Sequence, residues 1–182
     1  SNQIVPEHGA LNTGELQAKA TTSQDRLQAA ILRLNRPQPR NVFGPLLVNV
    51  ASACIDVSDG LLADLGHILD ASHVGAALDL NAVPLAPVLL DPSCLAWLDL
   101  PDTSPAGVQR FALSAGDDYE LCFTASPSTR EQISALAQQV GVTVARIGTI
   151  RSQAGIYSVS PSSVTEGAGN FVLLAPTGYS HF

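Results

Sequence analysis

The segment that most restricts the fold is an apolar run over 53–57 that breaks on Ser58-Asp59-Gly60 and resumes as an amphipathic stretch. Ala53-Cys54-Ile55-Asp56-Val57 reads as a short buried strand. Beyond the turn, Leu61, Leu65, Ile68 and Leu69 fall on one face of a helix, with Ser58 or Asp59 as its N-cap and Gly75 as its stop signal. The neighbouring segments extend this mixture. A helix starts at Ser23, carries Leu27, Ala30, Ile31 and Leu34 on one face, and is stopped by Pro37 and Pro39. Residues 42–50 fit helix or strand, and their length together with the strand that follows favours helix. A strand is expected at 76–80, one short helix near 89–98 in a Pro-rich stretch, and a turn then a strand within 111–124. A helix at 128–140 has Ile133, Leu136, Ala137 and Val140 on one face, and closing strands follow at 142–150, 155–159 and 171–174. Irregular alternation with adjacent strands late in the chain predicts an α+β fold. Residues 1–23 are polar and weakly patterned, which predicts a weakly ordered extension ahead of the domain.

Composition narrows the function classes. The 182 residues are 46% hydrophobic and only 14% charged, with 16 acidic against 9 basic side chains and a formal net charge of -7. That balance argues against nucleic acid or anionic lipid as a partner, while leaving open phosphate ligands held through a divalent metal. No stretch approaches the roughly 20 apolar residues of a spanning helix, and Ser1-Asn2-Gln3-Ile4-Val5-Pro6 lacks the pattern of a signal peptide. Cys54, Cys94 and Cys122 are widely spaced and odd in number, so they read as reduced residues of a cytoplasmic protein, with Cys54 and Cys122 in the core.

Chemistry concentrates at Asp56-Val57-Ser58-Asp59-Gly60. At a helix N-terminus, free N–H groups and the helix dipole face an anion, and two carboxylates three residues apart offer hard oxygen ligands to Mg²⁺. The same Ser-Asp-Gly pattern is also an ordinary cap and turn. Asp56 tips the balance toward a site, because an acid at the end of an apolar strand gains nothing as a cap and is costly to bury alone. A second acidic turn, Asp117-Asp118-Tyr119-Glu120, reads either as a solvated hairpin or as part of a site. Strand alternation would set Asp118 and Glu120 on one face and Tyr119 on the other. His67 reads as a half-buried packing residue and Trp97 as packing. His8, His73 and His181 have no partner at metal-ligand spacing. No Walker loop, dinucleotide fingerprint, nucleophile elbow or zinc pattern is present.

The stretch Ile55-Asp56-Val57-Ser58-Asp59-Gly60-Leu61-Leu62-Ala63-Asp64-Leu65-Gly66-His67-Ile68 resembles the signature of the thiamine-monophosphate kinases. Three further segments are similar to that family in the same order. They are Arg36-Pro37-Gln38-Pro39-Arg40, the turn from Ala115 to Leu121 (Gly-Gly-Glu-Asp-Tyr-Glu-Leu in the family), and Gly178-Tyr179-Ser180-His181-Phe182 at the carboxyl end. The resemblance covers about residues 27–182. It implies the carboxyl-terminal α+β domain, with a mixed or antiparallel sheet and packed helices, of the aminoimidazole-ribonucleotide-synthetase superfamily, here spanning 24–182. It further implies transfer of phosphate from ATP to thiamine monophosphate with Mg²⁺, in a chain whose amino-terminal nucleotide-binding domain is absent and which is inactive alone; the full protein would be a homodimer.

Carried over by position, Asp56 and Asp59 match Mg²⁺ ligands, Ser58 matches a nucleotide contact, and Asp117 stands where the family has a substrate-contacting Glu. No catalytic residue in the strict sense is implied, since the acceptor phosphate is itself the nucleophile. Ala115 replaces the first Gly of the family turn, and Pro176 stands where the family has an aromatic against the substrate. Other readings are a different ATP-dependent synthetase of the superfamily and a non-catalytic ligand-binding or interaction domain.

Overall fold

A computed structural model describes residues 22–159 and 171–174. In chain order its elements begin with α1 (Ser23–Asn35), α2 (Phe43–Leu46), β1 (Ala51–Val57), α3 (Leu61–Ser72) and β2 (Gly75–Leu78). After 3₁₀ turns come α4 (Pro92–Leu95), α5 (Pro105–Ser114), β3 (Glu120–Ala125) and α6 (Arg130–Gln139). The series closes with β4 (Gly148–Arg151), β5 (Gly155–Val159) and β6 (Phe171–Leu174). The expected extension over 1–23 lies, apart from Thr22 and Ser23, outside the described residues.

The chain divides into two compact units. The smaller comprises Ser1–Gln38 and Ala86–Leu100. In it, Thr22 and Asp25 form a reciprocal capping box at the start of α1, which satisfies donors the first helical turn leaves open. Arg26 donates to the Asp91 carboxylate at 2.8 Å, and Asp91 also accepts the Ser93 N–H at the start of α4. Hydrogen bonding from the Ser23 side chain, with Arg26 adding to it, holds the Asp91 pKa down at about 2. The apolar stripe read along α1 is only partly used: Leu27 and Ala30 are half-buried, Ile31 and Leu34 are exposed, and Ala29 is the buried residue. Trp97, expected to pack, is 78% exposed.

The larger unit comprises Pro39–Leu85 and Pro101–Phe182 and contains both sheets. In one, β1 and β3 pair antiparallel, Asp56 opposite Leu121 and Val57 opposite Glu120. The other has the order β4-β2-β5-β6, with β2 antiparallel to β4, parallel to β5, and β5 antiparallel to β6. This is the expected α+β class. A core of Val57, Leu62, Leu65, Leu69, Leu78 and Leu113 joins α3 to both sheets, and a second, of Phe43, Leu47, Ile133 and Ala137, seats α6 on the β1–β3 ribbon. No helix among the described residues is long and apolar enough to cross a membrane.

Several local expectations are corrected. The 42–50 segment keeps only one helical turn, α2, because residues 47–50 form a turn, with Asn49 at φ 66°, before β1 starts at Ala51. Phe111 belongs to α5, whose start is encoded by Ser104, which accepts the Gly107 N–H, and by Pro105 behind it. The strand expected over 142–150 is confined to β4. Cys54 is exposed because β1 alternates, putting Ser52, Cys54 and Asp56 outward and burying Val57. His67 is exposed as well.

Helix α3 stops at His73, not at Gly75, which opens β2 instead. His73 is left-handed, at φ 54° and ψ 44°, while its N–H and that of Val74 close the last helical turn on Asp70 and Leu69. A β-carbon is disfavoured in that conformation. His73→Gly is therefore expected to stabilise the chain by about 0.5–1 kcal/mol, read as a higher urea midpoint at unchanged slope; a lower midpoint would show that the imidazole contributes more than the strain costs.

Candidate functional site

The two acidic turns that the sequence singles out lie against one another. The Asp117 N–H donates to the Ser58 carbonyl at 2.8 Å, and the Asp118 N–H donates to the Val57 carbonyl at 3.2 Å. The site thus extends the β1–β3 ladder past the strand ends. Close approach requires glycine on both sides: a β-carbon on Gly116 would sit 2.1 Å from the Ser58 oxygen, and one on Gly60, at φ 115°, would sit 2.7 Å from the Ser114 oxygen. Ala115 sits at φ -69° and ψ 139°, open to any residue, so its replacement of glycine imposes no backbone cost.

The Ser58-Asp59 turn is shaped from within α3. Asp64, 2% exposed, accepts the Ser58 N–H at 2.9 Å and the Asp59 N–H at 3.0 Å through one carboxylate oxygen. The expected side-chain cap by Ser58 or Asp59 is absent; Gly60 is the N-cap residue. Asp64 is the residue that reading the motif for ligands passes over. Its signal is an acid set within the apolar stripe of Leu61, Leu65 and Ile68, where an exposed residue would not be placed. The upstream Arg-Pro segment also reaches the second turn, since Arg40 grips Glu120 in a two-point ion pair at 2.8 and 2.5 Å. That pairing raises the Arg40 pKa.

Asp56 is exposed at the end of β1, Asp59 is half-buried, and Ser58 and Asp117 are exposed. The Ser58 hydroxyl lies 3.5 Å from the Asp59 carboxylate. Asp117 and Tyr119 both adopt positive φ, 60° and 55°, so strict alternation does not govern this turn and begins only at Glu120. The surroundings carry negative potential. Burial and then the Asp56 charge push the Cys54 thiol up, while burial, Cys54 and Asp64 push Cys122 to about 11. Both thiols stay protonated at neutral pH, which removes them as nucleophiles. Among the described residues no group of three or more His, Cys, Asp or Glu converges as a metal centre. Two carboxylates with phosphate and water oxygens nevertheless suit Mg²⁺, which is commonly held through one or two carboxylates plus substrate phosphates.

Residues 17–159 match the family of AIR synthase related proteins, C-terminal domain, and the chain belongs to that family. Within it, the chain is similar to thiamine-monophosphate kinases. That of Escherichia coli (strain K12) is 34% identical over 178 residues, 93% of this chain and 50% of the relative. The structure of thiamine-monophosphate kinase from Stenotrophomonas maltophilia K279a matches with a TM-score of 0.64 at 38% identity, over 78% of this chain and 42% of that one. AaThiL complexed with AMPPCP and TMP shares the fold, with a TM-score of 0.56 at 24% identity over 79% of this chain and 41% of that one. The chain spans about half the length of the curated relatives it matches, 41–50%.

Because the buried Asp64 carboxylate accepts two part-buried N–H donors, Asp64→Ala is expected to cost about 2–3 kcal/mol of stability, measured by urea unfolding. A loss below about 0.5 kcal/mol, the range of an inert surface change, would refute its anchoring role. Gly116→Ala is expected to separate the two turns, seen as faster hydrogen exchange at the Asp117 and Asp118 amides; unchanged exchange would contradict the close approach.

Proposed function

We propose that this chain is the carboxyl-terminal domain of a thiamine-monophosphate kinase, a magnesium-dependent enzyme that transfers the terminal phosphate of ATP to thiamine monophosphate. The observation that carries the reading is the joining of two family-like acidic turns into one surface, by Asp117 and Asp118 N–H groups on Ser58 and Val57. The similarity to thiamine-monophosphate kinases at 34–38% identity supports the same substrate pair, and AaThiL is itself complexed with AMPPCP and TMP. The half-length match supports a further domain in the whole protein, read here as amino-terminal; the resemblance to the family implies a cytoplasmic homodimer.

In this reading Asp56 and Asp59 hold Mg²⁺, and Ser58 contacts the nucleotide phosphates. When bound, Mg²⁺ neutralises charge on the transferring phosphoryl group. The chain's own part is positional. Asp64 fixes the Ser58-Asp59 backbone, so that the carboxylates stand in place before the substrates arrive. The Asp117 turn is held on that backbone, and in this reading its carboxylate serves the acceptor side. Neither thiol nor any nearby base is needed, because the acceptor phosphate is ionised at neutral pH.

The test is turnover of thiamine monophosphate with ATP and Mg²⁺ by a protein joining this domain to the amino-terminal half found in the relatives. Turnover is expected there and not from the 182 residues alone. Asp56→Asn and Asp59→Asn are expected to lower kcat at limiting Mg²⁺ by roughly 100-fold, with unfolding free energies within about 0.5 kcal/mol of the parent for exposed Asp56. Wild-type kinetics from both variants would refute the metal assignment; absence of any thiamine diphosphate from the joined protein would refute the substrate.

A further inference from the structure

Resting on that reading, we propose that Tyr119 is the aromatic platform on which the positively charged heteroaromatic ring of the acceptor substrate stacks. Tyr119 lies between two fixed points. Before it, Asp117 and Asp118 are hydrogen-bonded to the Ser58 turn; after it, Glu120 is gripped by Arg40 and paired with Val57. Its backbone is left-handed, at φ 55°. Asp117, also left-handed, is a residue type that tolerates the region, but an aromatic side chain there crowds its own β-carbon against the backbone. Glycine or asparagine would meet the same backbone requirement without strain.

The domain itself gains little from an aromatic at this point. The ring is 44% exposed, Tyr119 is absent from both apolar cores, and its hydroxyl makes no hydrogen bond among the described residues. A strained, exposed aromatic at the junction of two ligand-facing turns marks a group held for a ligand. The electrostatics select the ligand class. A tyrosine face carries negative potential, and it follows directly on Asp117 and Asp118. A cationic ring is favoured there over an uncharged purine attached to a polyphosphate, which assigns the platform to the thiazolium end of the acceptor and not to ATP.

Steady-state kinetics on the protein joining both halves separates the possibilities. Tyr119→Gly relieves the backbone and deletes the ring, and is expected to raise KM for thiamine monophosphate about tenfold. KM for ATP should change less than about twofold and the thermal midpoint should hold or rise. Tyr119→Phe should restore the acceptor KM. An unchanged acceptor KM, a rise confined to ATP, or a lowered thermal midpoint in Tyr119→Gly would overturn the platform role. Wild-type turnover with an insensitive Tyr119→Gly sinks only the platform, whereas no wild-type turnover sinks the kinase reading and the platform with it.

Discussion

The buried carboxylate of Asp64 is the interaction on which the site depends. A turn between a strand and a helix presents several N–H groups with no partner in either element. Here the helix reaches back over its own start, and one oxygen of Asp64 takes the N–H groups of Ser58 and Asp59. With those donors satisfied, the Val57 and Ser58 carbonyls remain oriented outward, where the Asp118 and Asp117 N–H groups meet them. Remove the carboxylate and two part-buried donors lose their acceptor together, which is costlier than losing one exposed bond.

The rest of the larger unit keeps that junction from shifting. A two-stranded ribbon is marginal in isolation. The β1–β3 ribbon is secured because Val57 and Cys122 face the core built on α3, while Leu121 and Phe123 face α6, where Phe123 also meets Phe43 edge-on at 6.2 Å between ring centroids. Both strands end at the site, so the register that places Asp56 opposite Leu121 also sets the height of the two turns. Arg40 adds a lateral tie through Glu120.

Much of this was legible in the sequence where a local signal coincides with a packed face. The α3 stripe, the α6 face and the start of α1 at Ser23 follow directly from helical spacing, and the strand that carries Asp56 and ends at Val57 follows from its apolar run. The errors share a cause. Alternation in β1 leaves Cys54 outside although it is flanked by apolar residues, and exposure of His67 and Trp97 depends on what packs nearby. Helix α5 had its Ser-Pro start signal in plain view, but the acidic turn after it drew the reading toward turn and strand. The contact between the two turns, 57–58 with 117–118, is long-range and has no periodic signature. Only the glycines at 60 and 116 hint at it, and glycine alone does not say what approaches.

The thiols give an independent view of what this surface can accept. Burial and then the Asp56 charge push Cys54 upward, and burial, Cys54 and then Asp64 push Cys122 upward, so an acid lies close to each thiol. Arg40, a cation tied to this region, is engaged by Glu120 in a two-point ion pair. A phosphate approaching Asp56 and Asp59 would meet repulsion, and the N–H groups of Ser58 and Asp59 are already held by Asp64. Under the proposed function, a cation brought with the ligand would offset that repulsion. In that proposal the chain fixes the carboxylates and the positive charge arrives with the substrate, as at a metal–nucleotide site.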